Sequence, residues 1–256
     1  MSIPSSLSLV QLHSGQMQVF QSPHRFKVVC AGRRWGKSRL SISTIIRAAA
    51  KERKQRVWYV APTYQMARQI LWDDLQEVLP RKWIRKKNDT TMTIVLKNGS
   101  EIALKGADKP DTLRGVALHF VVLDEFQDMK PDTWYKVLRP TLSSTRGGAL
   151  IIGTPKGFSE FHKLWTIGQN KELQRKGQWK SWQFVTADSP FVPTAEIEAA
   201  KNDMDPKSFA QEYLASFENM SGRVYYPFDR SVHVKPLQFN PKLPVWVGQD
   251  FNIDPM

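Results

Sequence analysis

Cysteine is almost absent from this sequence: Cys30 is the single example in 256 residues. One cysteine excludes an internal disulfide framework and a zinc site built on cysteines, and it fits a reducing compartment. The five histidines show no spacing that is typical of metal ligands. No apolar run approaches the roughly 18 residues of a membrane span, and the first residues lack the basic and apolar segments of a secretory signal. We therefore expect a cytoplasmic protein with no membrane partner.

The sequence is also poor in acidic residues: it has 24 Asp and Glu against 37 Lys and Arg, which gives a formal net charge of +13. Cationic side chains release counterions when they meet a phosphate backbone, so this excess predicts a polyanionic partner. The basic residues concentrate at 51–56, 81–87 and 171–180. Any one of these runs is also compatible with a solvated surface, but the total charge favours an acidic partner.

Apolar runs alternate with helical stretches along the chain, and this alternation predicts an α/β fold with a mainly parallel sheet. Several runs are nearly continuous in apolar residues, as expected of strands that are covered on both faces. Between 91 and 104, alternating residues flank Asn98-Gly99, a pair suited to the positive φ angles of a hairpin turn. The predicted strands are 26–31, 57–60, 118–123, 150–153, 182–186 and 245–249.

The helical stretches also suggest a domain organisation. Thr63 and Asp205 are the predicted N-caps of the second and last helices, and Pro206 follows at a first helical position. Composition turns helical after 186 and becomes proline-broken coil after 226. We predict a core domain at 1–186, a small helical lid at 187–226, a linker at 227–244 and the truncated start of another domain at 245–256. The predicted helices are 38–53, 64–78, 132–138, 195–203 and 206–217.

The segment 31–38, AGRRWGKS, fits the phosphate-loop template with alanine in place of the first glycine. A predicted strand precedes it and a helix opens at Ser38, which is the context that this motif requires. Backbone N–H groups at a helix N-terminus bind phosphate oxygens, and glycine allows close approach. Lys37 is suited to the β- and γ-phosphates and the Ser38 hydroxyl to Mg²⁺. The predicted nucleotide-binding residues of the loop are Gly32, Arg33, Arg34, Trp35, Gly36, Lys37 and Ser38.

A second motif lies where the strand at 118–123 runs into Asp124 and Glu125. We predict that Asp124 holds Mg²⁺ through its water shell and that Glu125 polarises the attacking water as general base. Either carboxylate alone is compatible with an ordinary strand end in solvent. In combination with the phosphate loop, the pair predicts binding and hydrolysis of ATP or GTP.

Three further features bear on the same chemistry. Arg33 lies inside the loop, where a second cation would stabilise or sense charge on the γ-phosphate. Arg114 is a candidate arginine finger, within its own chain or for a neighbouring subunit, with a structural ion pair as the alternative. Gly153, Thr154 and Pro155 follow the next strand, at the edge where open α/β sheets bind ligands. Thr154 is a candidate γ-phosphate sensor, and a plain turn is the alternative.

In this order and spacing, the motifs resemble the large terminase subunit of tailed double-stranded DNA bacteriophages, the motor that packages the genome into the procapsid. The resemblance covers almost the whole chain. It rests on GRRWGKS at 32–38, VAPTY at 60–64, LRG at 113–115, VVLDE at 121–125 and GTP at 153–155. It implies a RecA-like ATPase domain of the additional-strand catalytic-glutamate type, a helical lid, a linker and an RNase H-like nuclease that uses two metal ions.

The resemblance also implies roles for individual residues. Gln16, or less plausibly Gln18, corresponds to an adenine contact upstream of the phosphate loop. The GTP motif corresponds to a segment that couples hydrolysis to movement, and Arg114 to an arginine finger supplied in trans within a ring of five subunits. Asp250 corresponds to the first metal-binding aspartate of the nuclease. Because the other nuclease carboxylates would lie beyond Met256, we expect no complete two-metal site and no nuclease activity here.

The implied substrate is ATP with Mg²⁺ as cofactor. The implied partners are double-stranded DNA, the portal protein of the procapsid, the small terminase subunit and further copies of this chain, which would act in the host cytoplasm at the portal. A superfamily 1-like helicase is one alternative, favoured by DEFQ at 124–127, but it would need a second RecA-like domain. A nucleotide-gated DNA-binding protein without turnover is another. A nuclease with a degenerate ATPase conflicts with the intact Lys37, Asp124 and Glu125.

Overall fold

An eight-stranded sheet forms the centre of the computed structural model, which describes residues 10–217. The strands are β1 (Phe26–Ala31), β2 (Arg56–Ala61), β3 (Ile84–Asn88), β4 (Thr93–Leu96), β5 (Glu101–Gly106), β6 (Phe120–Asp124), β7 (Gly148–Gly153) and β8 (Trp179–Phe184). Their order across the sheet is β3-β4-β5-β2-β6-β7-β1-β8. All neighbours from β5 to β8 pair in parallel, and the β3-β4-β5 edge is antiparallel. The predicted α/β fold with a mainly parallel sheet is therefore confirmed.

Local sequence patterns located most of the strands. β1 has its predicted bounds, and β2, β6, β7 and β8 overlap their predictions. The hairpin is confirmed, because β4 and β5 pair antiparallel around Asn98 and Gly99, and Gly99 has a φ of 86°. β3 was not predicted, because four of its five side chains are exposed and three are basic, so no apolar alternation marks it. The predicted strand at 245–249 lies outside the described residues.

Helices and short turns connect the strands. The predicted helix at 64–78 forms with a π-helical turn at Arg68–Trp72 in its middle, and the one at 132–138 is π-helical over Thr133–Leu138. The helices are α1 (Ser14–Gln21), α2 (Lys37–Lys51), α3 (Tyr64–Ala67), α4 (Asp73–Val78), α5 (Arg139–Thr141), α6 (Glu160–Gln169), α7 (Lys171–Arg175), α8 (Thr194–Asp203) and α9 (Pro206–Glu212). Of these, α1, α6 and α7 were not predicted, and α5 extends the helix at 132–138 beyond its predicted end.

Both predicted N-caps are present. The Thr63 hydroxyl oxygen accepts a hydrogen bond from the Met66 N–H at 3.1 Å, and the Asp205 carboxylate accepts bonds from two N–H groups in the first turn of α9. These bonds satisfy donors that have no partner inside a helix. α9 ends at Glu212, before the predicted end at 217.

The hydrophobic core has two parts, one on each face of the sheet. Successive residues of β1 alternate between them: Val29 belongs to the cluster beneath α2, and Val28 and Cys30 belong to the cluster that contains Phe161 of α6. All six residues of β1 are buried, as expected of a parallel strand that is covered on both faces. The polar residues that the sequence predicts as a nucleotide site therefore lie at the ends of the strands and not within them.

After α9 the chain returns to β1 and β8. The Cys30 thiol donates to the Ala215 carbonyl at 3.4 Å, and the Gln183 Nε2 donates to the same carbonyl at 2.7 Å. The boundaries of the predicted lid, linker and further domain stay predictions, since residues 218–256 lie outside the described part. No helix within residues 10–217 is both long and apolar enough to cross a membrane.

Candidate nucleotide-binding site

The phosphate loop joins β1 to α2 and follows the tight course that its sequence predicts. Arg34 and Gly36 have positive φ angles of 60° and 101°. A side chain at position 36 would also overlap the Nε2 of Gln16, so both the backbone angle and the space require glycine. α2 begins at Lys37 and runs for 15 residues. Its first N–H groups lack partners within the helix, which suits them to bind an anion.

Helix α1 supports the loop from behind. Gln16 is fully buried, and its Nε2 donates to the Gly36 carbonyl at 2.8 Å while its Oε1 accepts from the His13 N–H at 3.1 Å. The His13 Nε2 lies 3.0 Å from the Trp35 carbonyl. Both ends of the Gln16 amide are thus engaged with backbone, and Gln18 is exposed on the same helix. The structure gives Gln16 a role in supporting the loop, and an adenine contact by either glutamine stays a prediction.

Trp35 lies in the phosphate loop, but its side chain belongs to the core. It is fully buried and stacks on Phe184 with ring centroids 4.7 Å apart, and His13 meets its ring edge-on at 5.0 Å. Only the backbone of Trp35 is therefore available to a nucleotide in this conformation.

Thr186 and Glu212 hold the loop from the other side, through Arg33. The Thr186 hydroxyl donates to the Arg33 carbonyl at 2.8 Å, and the Arg33 N–H donates to the Glu212 carbonyl at 2.7 Å. The Arg33 guanidinium also forms an ion pair with the Glu212 carboxylate, although 68% of the Arg33 side chain is exposed. Hydrogen bonding to Glu212 raises the pKa of Arg33. The predicted catalytic Arg33 lines the cleft, but its charge is paired with that of Glu212.

Three of the predicted site residues meet at the Lys37 ammonium. Its Nζ donates to the Thr154 hydroxyl at 2.7 Å and to the Ala31 carbonyl at 3.3 Å, and it lies 3.8 Å from the Glu125 Oε1. Residues at the ends of β1, β6 and β7 therefore all lie within 3.8 Å of the Lys37 ammonium. This is the arrangement that the spacing of the motifs predicted.

Asp124 lies directly behind this group and is 2% exposed. The Tyr59 hydroxyl donates to its Oδ2 at 2.7 Å, and the Glu125 N–H donates to its Oδ1 at 2.9 Å. Burial, followed by the charge of Glu125, raises the pKa of Asp124, whereas the bond from Tyr59 and the charge of Lys37 lower it. Sequence reasoning missed Tyr59, because a tyrosine in an apolar strand is typical of core packing.

Glu125 is fixed by both its backbone and its side chain. Its backbone lies in the left-handed region with φ 50° and ψ 47°, which is uncommon for a residue other than glycine. The Gln127 Nε2 donates to its Oε2 at 2.7 Å. A side chain at Gly153 would overlap the Gln127 amide oxygen. The glycine of the GTP motif therefore leaves room for the residue that orients the predicted base.

Arg114 lies outside the cleft of its own chain. Its Nε forms an ion pair with the Asp111 carboxylate at 2.8 Å, and 55% of its side chain is exposed. It lines a separate pocket with Gly115 and Lys136. This conformation does not bring Arg114 to the phosphates of its own site, and the finger supplied in trans stays a prediction.

A cleft of about 920 Å³ opens beside the phosphate loop, and Ser38 and Pro155 are among the residues that line it. Its lining is Arg33, Arg34, Gly36, Lys37, Ser38, Arg39, Met66, Ile70, Glu125, Gln127, Asp128, Thr154, Pro155, Lys156, Phe191, Gln211 and Glu212. The space suits a ligand of nucleotide size. Asp250, the predicted nuclease ligand, lies outside the described residues.

The fold and the cleft define a P-loop protein of the RecA-like type. A phosphate loop follows a central parallel strand, an acidic strand end lies beside it, and β7 separates β1 from β6, which agrees with the additional-strand class. Residues 28–231 match the family described as terminase large subunit, T4likevirus-type, N-terminal. The chain therefore belongs to the family of phage large terminase subunits.

Individual relatives agree with this assignment. The chain is 31% identical over 219 residues to the large terminase subunit of Escherichia phage T5, a match that covers 84% of this chain and 49% of the relative. It is 32% identical over 247 residues to that of Thermus phage G20c, covering 89% of this chain and 47% of the relative. The chain thus spans about half the length of the curated relatives it matches.

Solved structures show the same fold. The large terminase ATPase domain of Thermus phage P74-26 has a TM-score of 0.69 and 26% identity, and the match covers 81% of this chain and 94% of that one. The large terminase of a thermophilic bacteriophage in complex with ADP has a TM-score of 0.68 at 18% identity, covering 90% of this chain and 60% of that one. The predicted RecA-like ATPase fold is confirmed.

Proposed function

We propose that this chain is the ATP-hydrolysing motor part of a phage terminase that translocates double-stranded viral DNA into the procapsid. The observation that carries the proposal is the meeting of Lys37, Thr154 and Glu125 in one cleft, with Asp124 directly behind them. The large terminase that was solved with ADP supports a nucleotide as the ligand of this cleft. Membership of the terminase family favours a packaging motor over a helicase.

The cleft residues divide the hydrolysis between them. Lys37 would exchange its hydrogen bond to Thr154 for the β- and γ-phosphate oxygens. Glu125, oriented by Gln127, would accept the proton of a water that attacks the γ-phosphorus in line. As the new O–P bond forms, the bond from the γ-phosphorus to the β,γ-bridging oxygen breaks, and ADP and phosphate leave. Thr154 contacts Lys37 directly, so it is placed to register the loss of the γ-phosphate.

The donor atoms at the site fit the implied Mg²⁺. Ser38 lines the cleft with a hydroxyl, and Asp124 contributes a carboxylate that lies against Tyr59 and Glu125. Both are hard oxygen donors of the kind that Mg²⁺ prefers, and these two residues would hold it. When bound, the ion neutralises negative charge on the phosphate oxygens.

Two arginines would complete the site. Arg33 already lines the cleft and needs only to exchange its ion pair with Glu212 for a phosphate. Arg114 is exposed and lines a pocket separate from its own cleft, which suits a finger offered to the next subunit of a ring. A finger of this type accelerates hydrolysis by roughly 10³- to 10⁵-fold. An isolated subunit would therefore hydrolyse ATP slowly.

Two of the three basic segments support duplex DNA as the partner, because the fold joins them into one surface. The turn between β4 and β5 bridges them: the Lys97 N–H donates to the Trp83 carbonyl at 2.8 Å, and the Asn98 side chain donates to the Ala49 carbonyl at 2.9 Å. A pocket of about 510 Å³ opens there. We call the lining residues Arg53, Lys82, Trp83, Lys97 and Asn98 the basic surface. Phosphate contacts of this kind suit a motor that moves along any sequence.

The remaining partners follow from the family and are part of the proposal. They are the portal protein of the procapsid, the small terminase subunit and other copies of this chain in a ring of five, in the host cytoplasm at the portal. The endonuclease, with Asp250 as a metal ligand, is proposed for the full-length protein.

A mixing experiment on steady-state ATP hydrolysis tests the proposal. Arg114→Ala and Glu125→Ala chains are assayed separately and together, with double-stranded DNA, at concentrations that allow assembly. We expect each variant alone to be nearly inactive and the mixture to regain activity, because one subunit would supply the arginine and the other the base.

The other outcomes distinguish the alternatives. A mixture that stays inactive while wild type turns over would show that Arg114 acts within its own chain or only structurally. If Glu125→Ala hydrolyses ATP as well as wild type does, Glu125 is not the base. A wild-type chain that binds ATP without hydrolysing it under any of these conditions would favour the nucleotide-gated DNA-binding protein.

A further inference from the structure

The cleft exposes apolar side chains beside the phosphate loop, and one of them is aromatic. Phe191 is 57% exposed, and it lines the cleft together with Met66 and Ile70. Among the lining residues in the described part of the chain, Phe191 is the single aromatic one. Large apolar surface left in water at a ligand cleft is a mark of a binding position.

A cation lies over this ring. The Arg39 guanidinium carbon is 5.4 Å from the centre of the Phe191 ring. Arg39 is exposed, and within residues 10–217 no carboxylate lies within ion-pair distance of it. Aromatic rings and the planar guanidinium of arginine both stack on nucleobases.

The position along the chain fits the base of a bound nucleotide. Lys37 and Ser38 open α2 at the phosphate end, and Arg39 is the next residue. A nucleotide held by the phosphate loop places its ribose and base beyond the α-phosphate, past these residues. The loop that carries Phe191 is anchored to the same structure, because Thr186 donates to the Arg33 carbonyl. Gln16, in contrast, is buried with both amide ends engaged.

We propose that Arg39 and Phe191 form the subsite for the purine base of the nucleotide, and that the base stacks between them when their mutual contact opens. This inference rests on the proposed function, because it concerns the nucleotide that the motor hydrolyses. Stacking uses the π-face that adenine and guanine share, so this pair would add affinity without choosing between the two purines. The subsite would also couple nucleotide binding to the lid segment, since Phe191 lies between Thr186 and α8.

The test compares ligands with and without a base. Affinities of wild type and Phe191→Ala for ADP, GDP and inorganic tripolyphosphate are measured by calorimetric titration in the presence of Mg²⁺. We expect Phe191→Ala to weaken the binding of ADP and GDP by roughly five- to a hundredfold and to leave the affinity for tripolyphosphate unchanged. Phe191→Trp should restore purine binding. Phe158→Ala is the matched control, because Phe158 is 58% exposed and does not line the cleft.

Arg39→Lys is a second arm, because lysine keeps the charge but loses the planar stacking surface. This variant should weaken the binding of ADP and leave the binding of tripolyphosphate unchanged. Equal losses for ADP and tripolyphosphate in Phe191→Ala, or no loss for either, would overturn the base contact. Binding of ADP without any hydrolysis of ATP by wild type would overturn the proposed function and leave the base contact standing.

Discussion

Replacing Lys27 with methionine should stabilise the protein, most strongly at low pH. Lys27 lies in β1, is 3% exposed, and donates from its Nζ to the Val19 carbonyl at 3.2 Å. Within residues 10–217 no carboxylate lies within ion-pair distance of it. Burial, followed by the positive charge of Arg47, lowers the pKa of Lys27 from 10.5 to about 7. The fold therefore holds an ammonium group that would lose its charge more readily than in water.

The direction of the pH dependence follows from that lowered pKa. Between about pH 7 and pH 10.5 the unfolded chain binds more protons at Lys27 than the folded chain does, so stability rises with pH there. At about 1.4 kcal/mol for each pH unit, the buried charge costs about 5 kcal/mol near pH 6.5 and about 3 kcal/mol near pH 8.5. Methionine removes this cost and loses one hydrogen bond, worth about 1 kcal/mol. The Val19 carbonyl keeps the Ser22 N–H as a donor at 3.2 Å.

Urea unfolding followed by circular dichroism measures the effect. We expect Lys27→Met to be more stable than wild type by about 4 kcal/mol near pH 6.5 and by about 2 kcal/mol near pH 8.5. Lys201→Met is the control, because Lys201 is exposed on α8. A difference between variant and wild type that does not change with pH, or a variant that is less stable at both pH values, would refute the buried-charge argument.

Three other variants test the site and its surroundings. Gly36→Ala should abolish ADP binding in calorimetry while the circular dichroism spectrum is retained, because a methyl group there meets Gln16 at a φ of 101°; retained binding would contradict the loop geometry. Glu212→Gln should lower the KM for ATP several-fold, because it frees Arg33 and removes a negative charge from the cleft; an unchanged or higher KM would contradict this. The double variant Arg53→Glu with Lys82→Glu, in the basic surface, should weaken DNA binding at least tenfold. The slope of log affinity against log salt concentration should become shallower by about 0.9 for each DNA phosphate that is no longer neutralised. The control variant Lys171→Glu with Arg175→Glu, near the opposite edge of the sheet, should change neither the affinity nor the slope.

The parts of the site that sequence predicted are those with a local signature. β1, the phosphate loop and the helix that follows are adjacent in the chain, and each fixes the next through backbone geometry. Asp124 and Glu125 follow an apolar strand, and parallel strands bring such ends to one edge. Spacing therefore predicted that Lys37 and Glu125 lie together, with Thr154 as a candidate beside them and a plain turn as its alternative. In the structure, the Thr154 hydroxyl and the Glu125 carboxylate lie within 3.8 Å of the Lys37 ammonium nitrogen.

The parts that sequence missed depend on contacts between distant segments. Tyr59 and Asp124 are 65 residues apart, and Arg33 and Glu212 are 179 apart. Neither Tyr59 nor Glu212 belongs to a recognisable motif, so their contacts with Asp124 and Arg33 can be identified only from the three-dimensional structure. Helix α1 was missed because only Gln16, Val19 and Phe20 in it are buried, which gives a weak apolar pattern. β3 lacks the alternation that marks a half-buried strand because it lies at the exposed edge.

The phosphate loop is supported on one side by α1 and on the other by Glu212, and the two supports differ in whether a nucleotide can compete with them. On the α1 side the loop is held by neutral hydrogen bonds from buried groups, Gln16 above all, and a nucleotide offers those groups nothing in exchange. On the Glu212 side, two neutral hydrogen bonds, from Thr186 to the Arg33 carbonyl and from the Arg33 N–H to the Glu212 carbonyl, are joined by an ion pair between the Arg33 guanidinium and the Glu212 carboxylate. A phosphate competes directly for that guanidinium, so nucleotide binding should weaken the ion pair and leave the neutral hydrogen bonds in place. By reciprocity, whatever moves Glu212 away from Arg33 should strengthen nucleotide binding. Displacement of Glu212 and the presence of a triphosphate then act on the same ion pair, which would couple nucleotide binding to the segment that carries Glu212.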